Sequence, residues 1–438
     1  MVSYVKMKKF FHVLVNTLIA NVTTNYLWFA LTFWAYLETK SVLATAIIGG
    51  VYMLLVSVSS LFFGTLVDKH HKKTIMFVSG AFTLATYLVA GLLYFVLPRE
   101  LVSTLSSPAF WAFAGVILAG SIVENMRNIA LSTTVTILVP KEKHANANGM
   151  VGTVAGIGFM VTSVLSGLSI GFLGMGWTLL IAIVLTGIAV LHLVFFVDIP
   201  EEAIVHDPEL ANKKLDLKGS WIAISAVPGL FGLILFSTFN NFIGGTYMAL
   251  MDPYGLTLFP VQIWGIVLGI SSTGFIVGGI IIAKFGLGKK PLKVLLIANI
   301  VMAFLGMVFT IREFWLLYTI GIFLYMCLIP IIEATEQTII QRVVPLKRQG
   351  RVFGFAQSLE TAAAPITALA IGPIAEFLII PYMAKPESQQ QWNWLLGMGD
   401  ARGIALIFLI SGLIMLVVAS LAFFTKTYRI LSKFYAST

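Results

Sequence analysis

GTLVDKHHKK, residues 64–73, is the densest run of ionisable side chains in a chain of 438 residues that is 58% hydrophobic and only 11% charged. An aspartate, two histidines and three lysines in ten positions raise three readings: a metal site, an acid/base cluster, or a tight turn carrying positive charge. Adjacent His70 and His71 point apart on any regular backbone, whereas paired helical ligands sit four residues apart. A second stretch, GIIIAKFGLGKK at residues 279–290, keeps the glycine, a lysine and the closing Lys-Lys, has no histidine, and puts Ala283 where the first has Asp68. The repeated content is therefore a turn with basic residues, and Asp68 is special to the first copy. A second echo lies further on: LVPKEKHANANG at 138–149 and VVPLKRQGRVFG at 343–354 align Pro140 with Pro345 and Gly149 with Gly354. Two echoes in the same order indicate a duplicated unit.

Between these turns the chain is apolar. A spanning helix needs about 20 mostly apolar residues. Twelve stretches qualify, at 10–37, 42–67, 75–97, 109–138, 149–173, 176–197, 221–251, 261–285, 292–311, 314–340, 354–380 and 403–424. The first is too long for a signal-peptide core, and no small-residue cleavage site follows it. A soluble domain carries about 25% charged residues, so the expected class is an all-α polytopic membrane protein. The longest polar segment, 198–220, divides it into six and six. The domains read from this are an N-terminal six-helix bundle at 1–197, a cytoplasmic linker at 198–220 ending in a short surface helix, and a C-terminal six-helix bundle at 221–438. Parallel repeats of this kind are a transporter design with the substrate site at the repeat interface.

Basic residues set the orientation. Lys6, Lys8 and Lys9 precede the first span; Lys69, Lys72 and Lys73 follow the second; Lys213, Lys214 and Lys218 lie in the linker; Lys289, Lys290 and Lys293 follow the eighth; Lys426, Arg429 and Lys433 follow the twelfth. The opposite loops hold Lys40, Arg99, Arg312, Lys385 and Arg402. By the positive-inside rule both termini are cytoplasmic, in a bacterial-type cell membrane. The net charge of +9 is thus topology, and no nucleic-acid partner is expected. One cysteine, Cys327, excludes a disulfide framework and a multi-cysteine metal site. No H-E-x-x-H, G-x-S-x-G or G-x4-G-K-[ST] occurs, so no enzyme chemistry, ATP-driven pump, metal or cofactor is expected. The expected form is a monomer in contact with membrane lipids.

GTLVDKHHKK resembles the loop-2–3 signature of the major facilitator superfamily, G-x-x-x-D-[RK]-x-G-[RK]-[RK], through Gly64, Asp68, Lys69, Lys72 and Lys73, with His71 at the glycine position. VENMRNIALSTTVTILVPKEKHANANG, ATEQTIIQRVVPLKRQGRVFG and GMGDARGIALIFLISGL resemble the macrolide-efflux-like branch of its drug/proton antiporters. Gly149 and Gly158 keep the spacing of that branch's glycine face in span five, without its proline. The resemblance implies a twelve-helix fold of two six-helix pseudo-repeats working by alternating access. It also implies that Asp68 is a clasp on the cytoplasmic gate, with the start of span eleven near Gly354 as its partner.

Ionisable residues inside spans cost roughly 2.5 kcal/mol or more, so each needs a reason. They are Glu124 and Arg127 in span four, Glu333 and Glu336 in span ten, and Glu360 in span eleven. Three-residue spacing puts Glu124 with Arg127 and Glu333 with Glu336 on shared faces. One reading makes these glutamates proton-coupling groups in a charged cavity. The other makes them partners of Arg127 and Arg342 in a salt-bridged inner gate, and a structural pair is the better account of Glu124 and Arg127. Asn21, Asn25 and Trp28 in span one, Ser237, Asn240 and Asn241 in span seven, and Gln357 in span eleven supply polar groups among aromatics, suited to an amphiphilic substrate. Cys327 and His192 read as packing residues, His144 and His206 as solvated. The function expected is multidrug efflux: proton-coupled export of lipophilic neutral or cationic small molecules. A lipid or lysolipid flippase, or a facilitator of an anionic metabolite using Arg127, is the alternative.

Overall fold

The computed structural model describes residues 2–39, 42–200, 216–259, 261–399 and 401–437; the linker stretch with His206, Lys213 and Lys214, and Lys40, lie outside the described residues. No strand occurs among the described residues. Twelve long helices follow the chain: α1 (Val2–Thr39), α2 (Val42–Lys69), α3 (Lys72–Val96), α4 (Pro108–Leu138), α5 (His144–Leu168), α6 (Gly174–Phe196), α7 (Leu230–Leu258), α8 (Val261–Phe285), α9 (Pro291–Val308), α10 (Trp315–Val343), α11 (Leu346–Ile374) and α12 (Arg402–Ala422). Length and hydropathy pick out nine spanning runs among the described residues. One of these, Lys141–Phe196, is 56 residues long, far beyond one crossing at 1.5 Å per residue. It divides at Gly174, whose φ of 74° is open to glycine at no steric cost. A π-helical turn, Ser169–Leu173, runs into that break. The two helices outside these nine runs, α1 and α7, hold the asparagines noted above.

The start of span seven, the loop before α12 and the place of Arg402 differ from the sequence reading, and α1 and α11 begin eight residues earlier than read. Span seven begins at Leu230 rather than 221, because the chain turns at Gly229 (φ 89°) behind Pro228. The preceding residues form a separate short helix, Leu217–Ser225, in which Asp216 accepts from the Gly219 N–H at 3.0 Å. The loop before α12 contains a helix, Pro386–Leu396. Arg402, read as a loop residue, is the first residue of α12 and is wholly buried.

The helices gather into two compact units. Unit 1 comprises Met1–Ala147, Ile157–Ala223 and Val344–Ser358; unit 2 comprises Asn148–Gly156, Ile224–Val343 and Leu359–Thr438. In unit 1, α3 packs on α4 and α6, α1 on α4 and α6, and α2 on α4. In unit 2, α9 packs on α10 and α12, α7 on α10 and α12, and α8 on α10. Each pairing recurs six helices later, which is the structural form of the repeat that the two echoes indicated. Each unit also takes in part of one helix from the other sequence half: residues 346–358 of α11 in unit 1 and residues 148–156 of α5 in unit 2.

Those two guests meet their hosts through glycine. In unit 1, a Cβ on Gly64 of α2 would stand 2.5 Å from the Gly350 carbonyl oxygen and 2.9 Å from the Arg351 Cα. One on Gly354 would stand 2.8 Å from the Gly64 Cα. In unit 2, a Cβ on Gly149 of α5 would stand 2.7 Å from the Ile282 carbonyl carbon, and one on Gly279 of α8 would stand 2.5 Å from the Thr153 nitrogen. Approaches this close exclude any side chain, and small residues at helix crossings are the membrane solution. The glycines shared by the echoes, Gly64 with Gly279 and Gly149 with Gly354, are the crossing points.

Candidate functional site

At the end of α2 in unit 1, Asp68 is 3% exposed. Its Oδ1 accepts from the Gly350 N–H at 2.7 Å, and its Oδ2 accepts from the Arg351 N–H at 3.0 Å and the Arg351 Nε at 3.1 Å. The carboxylate thus sits on the first turns of α11, at the positive end of the helix dipole. Arg351 Nη1 donates onward to Asp216 Oδ2 at 2.7 Å. Asp216 in turn holds the start of helix Leu217–Ser225, and its own N–H donates to Thr65 Oγ1 of α2 at 3.4 Å. Two buried carboxylates therefore share one buried guanidinium, with backbone N–H groups taking the remaining acceptor capacity. The linker residue Asp216 was invisible to motif reading. Its signal was position: an acid ahead of a helix start, the usual N-cap chemistry. Lys69 closes α2; Lys72 is buried and donates to the His70 carbonyl at 3.3 Å, while Lys73 donates to the Val194 carbonyl at 3.2 Å, near the end of α6.

Deeper in unit 1, Arg127 is wholly buried. Nε donates to Glu124, Nη1 to Asn16 Oδ1, and Nη2 to the Met76 carbonyl at 3.0 Å. Glu124 Oε2 accepts from Ser79 Oγ at 2.7 Å and Thr83 Oγ1 at 3.3 Å. Gly80 makes room: a Cβ there would stand 2.8 Å from Arg127 Nη2. Asn16 donates to the Ala189 carbonyl at 2.7 Å, beside His192, which stacks on Phe196. Both charges are neutralised and fully hydrogen-bonded. Nearby, half-buried Asn21, Asn25 and Trp28 lie along one face of α1. The Trp28 ring lies 4.9 Å from Phe29 and 5.3 Å from Tyr52, and Asn125 donates to the Tyr52 hydroxyl at 3.3 Å. Trp28 Nε1 is buried with no hydrogen-bond partner.

Unit 2 holds charge of a different kind. The carboxyl groups of Glu336 on α10 and Glu360 on α11 face one another, with Ser237 of α7 beside Glu336 and Glu333 within electrostatic reach of both. Glu336 Oε1, Glu360 Oε1 and Ser237 Oγ are buried without a hydrogen-bond partner. None of the three glutamates is ion-paired among the described residues. Arg342 is engaged elsewhere, its guanidinium 4.6 Å over the Tyr435 ring. Asn240 and Asn241 are half-buried on α7, with Asn241 Nδ2 donating to the Ser237 carbonyl at 3.0 Å. Gln357 lies one turn before Glu360 on α11 and belongs with unit 1.

Three further residues correct or extend the sequence reading. His144 is buried rather than solvated, its Nε2 donating to the Val139 carbonyl at 3.1 Å, because the chain reverses at Pro140 and folds the ring back over the end of α4. Asn148, unnoticed in sequence, donates to Thr338 and Gln341, both at 2.8 Å, within unit 2. Arg402 donates to the Thr310 carbonyl at 3.1 Å, the Leu396 carbonyl at 2.6 Å and the Tyr254 hydroxyl at 2.8 Å, and pairs with Glu313 at 3.2 Å.

Residues 13–368 match the model of the Major Facilitator Superfamily. Macrolide efflux protein A of Streptococcus pyogenes is 24% identical over 378 residues, spanning 82% of this chain and 87% of that one. Among solved structures, the human organic anion transporter MFSD10 superposes with a TM-score of 0.67 at 14% identity, over 94% of this chain and 99% of that one. A bacterial homologue of the iron transporter ferroportin gives 0.65 at 16% identity, over 94% and 98%. The proton:xylose symporter XylE gives 0.65 at 12%, over 96% of both chains. These structural likenesses speak for the fold. With a family model covering most of its length and twelve membrane helices in two repeated six-helix sets, the chain belongs to the Major Facilitator Superfamily and is a multi-pass membrane transporter rather than an enzyme.

Proposed function

We propose that this transporter exports lipophilic neutral or cationic small molecules in exchange for protons. The observation that carries the reading is the facing pair Glu336 and Glu360, each with a buried oxygen unpartnered, with the exposed Glu333 in electrostatic reach and no cation paired to any of the three among the described residues. Carboxylates this close cannot all ionise in an apolar surround. In the proposed cycle one of them takes up a proton and gives it up when a cation or a wetter conformation takes over. Ser237, Asn240 and Asn241 on α7 supply neutral polar contacts beside them. The aromatic face of α1, with Trp28 and its unpartnered Nε1, suits an amphiphilic ring system. The likeness to a macrolide efflux protein is consistent with that substrate class. An anionic substrate gathered by Arg127 has less support, since the donors of that guanidinium are taken by Glu124, Asn16 and Met76.

In this reading the Asp68 end faces the cytoplasm with both chain termini, the chain acts as a monomer, and Asp68 with Arg351 clasps α2 to α11 during part of an alternating-access cycle. The test is transport of a fluorescent lipophilic cation into proteoliposomes under an imposed pH gradient, comparing wild type with Glu360→Gln and Glu333→Gln. Wild type should respond to the gradient and Glu360→Gln should not. A wild-type flux indifferent to the gradient rules out proton exchange.

A further inference from the structure

Unit 2 contains a groove of about 350 Å³ apart from the glutamate cluster. Its walls are the first turns of α7 and α9, the last turns of α12, and the closing helix Lys426–Ser437. Leu233, Phe236, Leu295, Leu296 and Leu421 line it, and its polar groups are confined to Thr425, Thr427 and Tyr428 at one end. The wall formed by the closing helix is fixed: a Cβ on Gly229 would stand 2.9 Å from the Leu431 Cβ, and Gly232 leaves room only for Thr427. Leu431 and Tyr435 of that helix turn inward, while Lys426, Arg429 and Lys433 are exposed.

Charge around the groove has one sign. Lys289, Lys290 and Lys293 at the start of α9 are exposed, as are Lys426, Arg429 and Lys433. None of the six is paired with a carboxylate among the described residues. Residues 221–251, 289–311 and 401–438, which contain every lining residue, hold no aspartate or glutamate. The groove lies where three spanning helices begin or end, so its mouth is at headgroup level and its depth at acyl level. An aqueous ligand would find almost no polar group to orient it. A hydrocarbon chain with an anionic head would match both the lining and the rim.

We propose that this groove is a binding site for one anionic phospholipid, with an acyl chain along Leu295, Leu296 and Leu421 and the phosphate at Lys293, Lys426 and Arg429. The site is independent of whether protons drive transport. Its test is native mass spectrometry of the full detergent-purified chain incubated with phosphatidylglycerol or phosphatidylcholine of identical chains. Wild type should retain one phosphatidylglycerol at least tenfold more than phosphatidylcholine. The variant K293Q/K426Q/R429Q, altered only at exposed positions, should bring the two lipids within twofold. Leu421→Trp, which fills the groove from an exposed position, should cut retention of both lipids tenfold. Equal retention by wild type overturns the proposal, as does a preference that survives the triple substitution or retention that survives Leu421→Trp. Displacement of phosphatidylglycerol by glycerol 3-phosphate alone would also overturn it, because it would mark a phosphate site without an acyl chain.

Discussion

Replacing Arg351 by glutamine should open the α2–α11 crossing far more than replacing Asp68 by asparagine. The arithmetic follows from two carboxylates on one guanidinium. Asp68→Asn leaves Arg351 paired with Asp216 at 2.7 Å, a balanced pair, and forfeits the charge-assisted character of the bonds from Gly350 and Arg351. Hydrogen bonds to charged groups contribute about 1.5–3 kcal/mol, so the clasped state weakens roughly 10- to 150-fold. Arg351→Gln strands two buried carboxylates, and removing one partner of a buried pair costs about 3–5 kcal/mol, roughly a hundredfold to several-thousandfold. The reporter is a cysteine at Ser57, in a Cys327→Ser background. Ser57 is buried, and its hydroxyl donates to the Ser358 carbonyl at 2.7 Å, so it reacts with maleimide only when α11 leaves α2. The labelling rate should rise in the order wild type, Asp68→Asn, Arg351→Gln. Asp216→Asn should fall with Asp68→Asn, since it too leaves one balanced pair. Equal rates in all four proteins, or Asp68→Asn exceeding Arg351→Gln, would refute the shared-guanidinium account.

Arg127→Met should lower thermal stability by about 3–5 kcal/mol equivalent through an uncompensated Glu124, and adding Glu124→Gln should recover a large part of it in the same melting assay. Gly80→Ala should destabilise by about 1–3 kcal/mol through overpacking against Arg127 Nη2, read as a lower melting temperature. Arg402→Lys should destabilise measurably although it keeps the charge, because a single ammonium cannot serve Thr310, Leu396 and Tyr254 together; a melting temperature equal to wild type would contradict this.

The repeat was legible because its markers are residues that only backbone proximity explains. Gly64, Gly149, Gly279 and Gly354 stand out in sequence as echoed glycines, and in space each leaves no room for a Cβ. Span ends inside Lys141–Phe196 and before α7 were harder, since Gly174 and Gly229 break helices within apolar runs that hydropathy reads straight through. The charged residues divided along a similar line. Glu124 with Arg127 could be read from three-residue spacing, because both partners sit on one helix. The facing of Glu336 and Glu360 could not, because the two lie on different helices and neither has a nearby opposite charge to announce a partner. Asp216 and Arg351 are separated by most of the second half of the chain, and Arg402 resembled an ordinary loop base until its four partners came from three separate elements.

The two glycine crossings are alike in backbone and unlike in charge, and that difference has a physical consequence. At α5–α8 the contact is close packing, backed by the neutral amides Asn148 and Gln341, with Ala283 standing where α2 has Asp68. At α2–α11 the same packing carries a buried ionic triad. A neutral glycine contact re-forms whenever the helices meet, in lipid or in water. The ionic triad does not: once α11 withdraws, Asp68, Arg351 and Asp216 each gain water, which recovers much of the desolvation energy that burial had removed. Separation at α2–α11 is therefore assisted by hydration in a way that separation at α5–α8 is not. Charge is placed at only one of two equivalent crossings, and Ala283→Asp, by adding an acid with no arginine at the position matching Arg351, should weaken the α5–α8 crossing rather than produce a second clasp. Maleimide labelling of a cysteine at Thr153 should then rise, and an unchanged rate would show that the two crossings tolerate charge equally.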